Sequence, residues 1–195
     1  SLQIHGTPDI SEGTFQGSGI EHPIYIGTVL YHAGTSAEFA FKDGTTAVAG
    51  YSFVGSTCTT VQFPASLTTL EKYAFTKSAL VEVTIPATIT DMSGGYTFQN
   101  STSLTTVVIE NGVASIPTYF LDGCTSVTSV QIPASVTEIG AYAFAGCASL
   151  FYVRFPVVEE IGEGAFSQYE QYGQAPIFGG TGLNSEGKTA LILPE

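Results

Sequence analysis

A repeated unit limits the possible folds of this chain more than any other feature. A short apolar segment, usually ending in Pro, begins at Val61, Val83, Val107, Val130 and Val153. These positions lie 22, 24, 23 and 23 residues apart. A second anchor keeps the same phase at Phe53, Phe75, Phe98, Leu121, Phe144 and Phe166, with Leu in place of Phe at 121. Two anchors that share one period indicate a repeat array.

The pattern of apolar residues in each unit predicts a short strand whose alternate residues point into a core. Leu80, Val83 and Ile85 form one such inward set, and the Pro that follows ends the strand because it cannot donate a ladder hydrogen bond. Strands are likewise predicted at 39–41 and 61–64. Val136 and Ile139 represent a second inward pair. The Tyr-Ala-Phe segments that come next, at 73–75 and 142–144, are predicted to carry the chain round as short helical or 3-10 turns.

One unit cannot bury its own apolar face, so neighbouring units must stack with their strands about 4.8 Å apart. Charged residues make up only 11% of the chain, and Thr, Ser and Gly are abundant, which favours a mainly β protein. We expect residues 1–38 to be an N-terminal capping segment with short strands at 24–26 and 28–31. Residues 39–166 form the array, and 167–195 form an insertion loop with a terminal strand or last repeat.

The segment from Pro133 to Leu150 resembles the signature of the BspA-like leucine-rich repeat family. It carries Pro-x-Ser-Val-Thr-x-Ile-Gly and then Ala-Phe-x-Gly-Cys-x-Ser-Leu. The resemblance implies a right-handed leucine-rich-repeat solenoid with repeats of about 23 residues. Two local departures are the loosened turn at 91–95 and Glu110, which stands where other units have Pro.

This family is known for adhesion to extracellular-matrix proteins, so the resemblance implies a secreted or cell-surface bacterial binding module. The chain begins Ser-Leu-Gln, without Met, as it would after removal of a signal or anchor. A structural spacer within a larger surface protein, with no ligand of its own, is the alternative. No group of residues in the sequence supports an enzymatic function.

The charge of the chain limits the kinds of partner. Seventeen acidic and five basic residues give a formal charge of −12, which argues against nucleic acid and anionic membrane surfaces. No apolar stretch of about 20 residues is present, so no membrane insertion is predicted. We expect a monomer that binds an extracellular protein or glycan and requires no cofactor or metal.

Several motifs resemble chemical sites but have simpler interpretations. Residues 182–189 match the phosphate-loop pattern, yet a strand rather than a helix is predicted to follow, so nucleotide binding is not expected. The three His lack metal-ligand spacing and are interpreted as surface or loop residues. Glu159, Glu160 and Glu163 form a predicted solvated acidic corner. Cys124 and Cys147 should lie on neighbouring units, within disulfide range, although buried free thiols are favoured.

The remaining candidate is the exposed face of the strands, where solenoids commonly bind ligands. Residues between the inward anchors should align into columns across the units. The predicted ligand-binding residues are Gln62, Thr84, Val108, Gln131, Tyr152 and Arg154. Tyr152 and Arg154 lie beside Phe151, and these residue types are enriched at binding hot spots. Columns of Thr and Gln are also what an exposed sheet needs to stay soluble, so both interpretations remain open.

Overall fold

The structure, a computed structural model, describes residues 13–16, 18–154, 158–167 and 177–179. Within these residues the protein is mainly β and contains no helix. Short strands stack unit upon unit into a β-solenoid, as the repeat predicts. The strands belong to three sheets: the largest runs along one side of the solenoid, and the two smaller ones follow one another along a second side.

The largest sheet holds the strands that follow the repeated Leu anchors. All of its neighbouring strands are parallel, in the spatial order β12-β10-β8-β6-β5. This sheet consists of β5 (Glu82–Ile85), β6 (Thr106–Ile109), β8 (Ser129–Gln131), β10 (Tyr152–Arg154) and β12 (Ile177–Gly179). Strand β5 is therefore an edge strand, and Pro86 stands immediately after its last residue.

Two smaller sheets are built from the second half of each unit and from the first strands of the chain. One contains β7 (Ser115–Ile116), β9 (Glu138–Ile139) and β11 (Glu160–Ile161), all parallel. The other contains β1 (Ile24–Ile26), β2 (Val29–His32), β3 (Ala47–Val48) and β4 (Thr69–Leu70). Strands β1 and β2 confirm the two predicted N-terminal strands and pair antiparallel at the end of this sheet. That residues 1–38 act as a cap remains a prediction.

The loosened turn at 91–95 separates these two smaller sheets. Only an isolated bridge between Thr69 and Asp91 continues the second-half strand here. The Asp91 carboxylate instead accepts hydrogen bonds from Ser93 N (3.0 Å) and Ser93 Oγ (2.7 Å). These bonds lower the pKa of Asp91 and favour a local turn over a strand.

The predicted inward residues form the core. Leu80, Val83 and Ile85 are buried, and so are Val136 and Ile139. The second anchor forms a column of phenylalanine rings. Phe53 stacks on Phe75 with a centroid distance of 4.2 Å, and Phe75 stacks on Phe98 at 5.2 Å. Leu121 keeps the backbone phase of this column, and the neighbouring Phe120 supplies the ring that meets Phe98 edge-on at 5.4 Å.

The prediction of helical turns at the Tyr-Ala-Phe segments is wrong, as it is for the corresponding segments of the other units. Each tyrosine has a positive φ, which a right-handed helix does not allow, and each segment forms a hydrogen-bonded turn. The tyrosines with φ between 55° and 63° are Tyr51, Tyr73, Tyr96, Tyr119 and Tyr142. Their rings contact one another in series, with centroid distances of 4.4 to 5.1 Å. We call this series the tyrosine ladder.

Ring contacts in the tyrosine ladder offset part of the strain of its backbone. A non-glycine residue in the left-handed region costs about 1–2 kcal/mol, whereas an aromatic pair contributes about 0.5–1.5 kcal/mol beyond its buried area. The Lys72 ammonium lies 4.9 Å and 5.1 Å from the ring centroids of Tyr73 and Tyr96. The ladder ends at Gly164 (φ 61°), where a Cβ would lie 2.5 Å from Cε1 of Tyr142.

A column of small polar side chains joins successive units inside the solenoid. Ser101 Oγ donates to Phe75 O (2.8 Å), Cys124 Sγ to Phe98 O (3.1 Å) and Cys147 Sγ to Leu121 O (3.2 Å). All three cysteines of the chain are buried and free, which confirms the packing interpretation of Cys124 and Cys147. Serine and cysteine therefore have the same role in this column, because each donates a hydrogen bond to a backbone carbonyl of the preceding unit.

Candidate binding face

The exposed residues of the large sheet form straight rows across its strands. The pairing places Thr84 opposite Val108, Val108 opposite Gln131, and Gln131 opposite Arg154. All four residues are exposed, and Val108 is an apolar residue with 47% of its surface accessible. The predicted column is present from Thr84 to Arg154, whereas Gln62, its predicted first member, lies in a segment that forms no strand. We call this sheet surface the strand face.

At the β5 edge the strand face opens into a cleft of about 390 Å³. Its sides come from three successive units, since it lies over residues 60–63, β5 and β6. The lining residues are Thr60, Val61, Gln62, Phe63, Glu82, Val83, Thr84, Pro86, Thr106, Val108 and Glu110. The cleft therefore combines apolar surface, hydroxyl groups and two carboxylates.

The cleft exists because one predicted strand does not form. The segment 61–64 is irregular, although a strand is predicted there. The corresponding segment of the preceding unit, 39–41, is irregular as well. Val81 N still donates to Thr59 O (2.8 Å), but in the described part of the chain no backbone hydrogen bond joins residues 60–63 to β5. The two segments therefore start together and then diverge, which leaves the β5 edge open.

The strand prediction is wrong in these two units, and we attribute this to the packing of their large inward side chains. The inward position filled by Ile in β5 and β6 is filled by Phe41 and Phe63 in the first units. Their ring centroids lie 5.8 Å apart, and the Phe63 ring lies 5.7 Å from that of Phe75. In these units a bulky ring therefore fills the inside of the solenoid where β5 and β6 place Ile.

The structure brings together three of the six predicted ligand-binding residues. Gln62, Thr84 and Val108 line the cleft. Gln131 and Arg154 continue the same row on β8 and β10, away from the cleft. The backbone of Tyr152 pairs with Ser129, one row earlier. Phe151, just before β10, is exposed over 62% of its surface.

The sequence interpretation did not assign Glu110 and Phe63 to a site. It placed Glu82 in a second exposed column of the strand face, with Thr60, Thr106, Ser129 and Tyr152, but not among the ligand-binding residues. Glu82 lies in the row next to Thr84, and its carboxylate is exposed at the cleft. Glu110 accepts a hydrogen bond from Ala87 N (3.2 Å), which holds its carboxylate beside the end of β5. The signal for Glu110 was present, because it replaces the Pro that ends the strand in other units.

The other chemical motifs contribute little to the described structure. The phosphate-loop match at 182–189 lies outside the described residues. The prediction that all three His are surface or loop residues is wrong for His32, which lies buried in β2 with Nε2 3.1 Å from Ile20 O. Glu159, Glu160 and Glu163 are exposed, as expected. The described residues contain no cluster of three His, Cys, Asp or Glu that could hold a metal ion.

The family model of the BspA type leucine rich repeat region matches this sequence in six copies, over residues 24–116 and 94–178. Together they cover most of the chain. The chain belongs to this family. Among curated proteins, none matches the sequence significantly. None of the described residues forms a helix that is long and apolar enough to cross a membrane.

Solved structures of bacterial leucine-rich repeat proteins are similar to this chain. One from Eubacterium ventriosum is 23% identical and has a TM-score of 0.62; the alignment covers 72% of this chain and 45% of that one. It supports the fold. A second, from Bacteroides ovatus, is 20% identical with a TM-score of 0.42, and the alignment covers 77% of this chain and 61% of that one. This BspA-type chain thus spans less than two thirds of the length of both proteins.

Proposed function

We propose that this BspA-type repeat array is a non-catalytic binding module, secreted or on the cell surface, that recognises an extracellular protein or glycan. The binding surface is the strand face, with Gln62, Thr84 and Val108 in the cleft and Gln131, Tyr152 and Arg154 beyond it. The observation that carries the proposal is the cleft, which opens directly onto a row of exposed and chemically varied side chains.

Two features of the strand face support this proposal. The row from Thr84 to Arg154 stands on hydrogen-bonded strands, so a ligand would meet side chains that are already positioned. The residues are also unlike one another: Thr84, Val108, Gln131 and Arg154 offer a hydroxyl, an apolar surface, an amide and a cation. A spacer needs only a soluble surface, for which a uniform row of Thr would suffice.

The proposal is tested by binding to purified extracellular-matrix proteins and glycans, each immobilised separately. The test variant is Val108→Arg, which places a long charged side chain in the row. Its matched control is Ser115→Arg, which makes the same charge change at an exposed position of β7, in another sheet. We expect at least one immobilised partner to bind the parent protein and the control but not Val108→Arg. Absence of binding to the whole panel, or equal loss in both variants, would favour the spacer.

A further inference from the structure

The cleft at the β5 edge is negatively charged, which favours positively charged partners. Glu82 and Glu110 line it, and no Lys or Arg is among its lining residues. The four Lys and single Arg of the chain give little positive charge elsewhere to compensate. A cation in the cleft would therefore meet carboxylates and no competing positive charge.

The floor of the cleft is apolar. Val61, Phe63 and Pro86 are half-buried and face the same space as the two carboxylates. Lys and Arg side chains combine an apolar stem with a charged head, and they place the stem along apolar surface while the head reaches a polar group. The apolar residues of the cleft therefore suit the stem of a Lys or Arg side chain, and the two carboxylates suit its charged head.

The size of the cleft limits how much of a partner can enter. A volume of about 390 Å³ is near the lower end of the range of about 300–1,000 Å³ for small-ligand pockets. It admits a few side chains of a chain segment and excludes a folded domain. The open edge of β5 adds backbone groups that could bond an extended segment lying beside it.

We propose that the cleft binds a cationic, extended segment of a partner protein, with Arg or Lys side chains over the Phe63 floor and their charged groups at Glu82 and Glu110. This inference rests on the proposed function and names the chemistry of the partner. Because alternate side chains of an extended segment face the same way, a segment in which every second residue is Arg suits the cleft best. Arginine is preferred to lysine, since its guanidinium can bond a carboxylate through two parallel hydrogen bonds.

The test uses three short synthetic peptides, in which Arg, neutral citrulline or Glu alternates with Thr. Binding is measured by calorimetry with the full chain. We expect the arginine peptide to bind, increasing salt to weaken it, and the citrulline and glutamate peptides not to bind. Glu82→Gln and Glu110→Gln should each weaken binding about tenfold, as expected for loss of a charge-assisted hydrogen bond.

The matched control is Glu138→Gln, which removes the same charge from an exposed strand position of β9, outside the cleft. It should leave binding unchanged. Equal binding of the citrulline peptide, no binding of the arginine peptide, or an equal effect of Glu138→Gln would overturn the inference. If the immobilised panel still distinguishes Val108→Arg from Ser115→Arg, only the cationic partner is wrong. If the panel also fails, the proposed function is wrong as well.

Discussion

The rings of Phe63 and Phe75 meet edge-on, with centroids 5.7 Å apart and planes at 71°. Phe53 and Phe75, by contrast, stack at 4.2 Å and 24°. Phe63 comes from the strand half of its unit and Phe75 from the turn half of the same unit, so the edge-on contact fills the inside of the solenoid. On the outside, residues 60–63 diverge from β5, and both segments line the cleft.

The first prediction concerns the Thr84 amide. Ile85 O accepts a hydrogen bond from Glu110 N (3.0 Å), so the backbone groups of the adjacent Thr84 point to the open side of β5. We expect the Thr84 amide to exchange with solvent far faster than that of Ile132, which donates to Arg154 O (2.7 Å). Hydrogen exchange followed by NMR measures both. Similar protection of the two amides would mean that β5 is covered.

A second prediction tests whether the size of Phe63 opens the cleft. Replacing Phe63 with Ile supplies the residue that other units have at this position, and should let residues 61–63 approach β5. We expect exchange of the Thr84 amide to slow and binding of the alternating arginine peptide to weaken. Leu67→Ile, a change of similar kind at another buried position, is the control. Unchanged Thr84 exchange in a folded Phe63→Ile protein would contradict our explanation of the cleft.

The tyrosine ladder gives a third prediction. Tyr119 has a φ of 55° and contacts Tyr96 and Tyr142 at 4.4 Å and 5.1 Å. Tyr119→Ala should destabilise the fold by about 2–3 kcal/mol, because both ring contacts are lost and the backbone strain remains. Tyr119→Gly loses the same contacts but tolerates the positive φ, so it should cost about 1 kcal/mol less. Urea unfolding measures both, and an alanine variant at least as stable as the glycine variant would contradict the assigned strain.

The column of serine and cysteine donors gives a fourth prediction. Cys124→Ser keeps a short donor to Phe98 O, as Ser101 already provides to Phe75 O, and should change stability by less than about 1 kcal/mol. Cys124→Ala removes the donor and leaves space, so it should cost about 1–3 kcal/mol. Thermal unfolding compares the two. Equal stability of the two variants would show that the sulfur acts only by filling volume.

The buried thiols also predict how stability depends on pH. Burial raises the pKa of the Cys124 thiol to about 12, from 9.0 in the absence of the fold, and burial also raises the pKa of Cys147. The unfolded chain therefore loses these protons at lower pH than the folded chain. The stability they contribute is complete below pH 9 and is lost as pH rises toward 12, by about 1.4 kcal/mol per pH unit for each thiol.

Urea unfolding at a series of alkaline pH values measures this slope. The Cys124→Ser, Cys147→Ser double variant should have a shallower slope between pH 9 and pH 12, because serine does not ionise there. The tyrosines titrate in the same range, and comparison with the double variant removes their contribution. Identical slopes for the two proteins would contradict the burial of protonated thiols.

The repeat period allowed much of the fold to be predicted. Alternation placed Val83 and Ile85 inside and Thr84 outside, and a constant period aligned Thr84 with Val108 and Gln131. Such features depend on sequence spacing alone. The missing strand at 61–64 could not be predicted in this way, because its spacing is the same as that of β5. The repeat period does not show how the rings of Phe41, Phe63 and Phe75 pack, and we attribute the missing strand to that packing.

The tyrosine ladder was missed for a related reason. Tyrosine recurs two residues before every anchor from Phe53 to Phe144, and Gly164 takes its place before Phe166, so its period was visible in the sequence. The left-handed backbone was not, because tyrosine does not favour it and only the stacked neighbours of the folded state stabilise it. Glu110 was visible in the sequence as a departure from the repeat. Its position in a candidate site could not be predicted, because the cleft beside it was not.

Amide chemical-shift mapping tests the central claim most directly. The alternating arginine peptide is titrated into isotope-labelled protein, and shifts are followed along the whole chain. If the strand face binds at the cleft, the largest changes will fall on Gln62, Phe63, Glu82, Thr84 and Val108, and the amides of Ser115 and Glu138 will stay unchanged. Changes centred on the tyrosine ladder or on β7 and β9, with none at the cleft, would contradict the account.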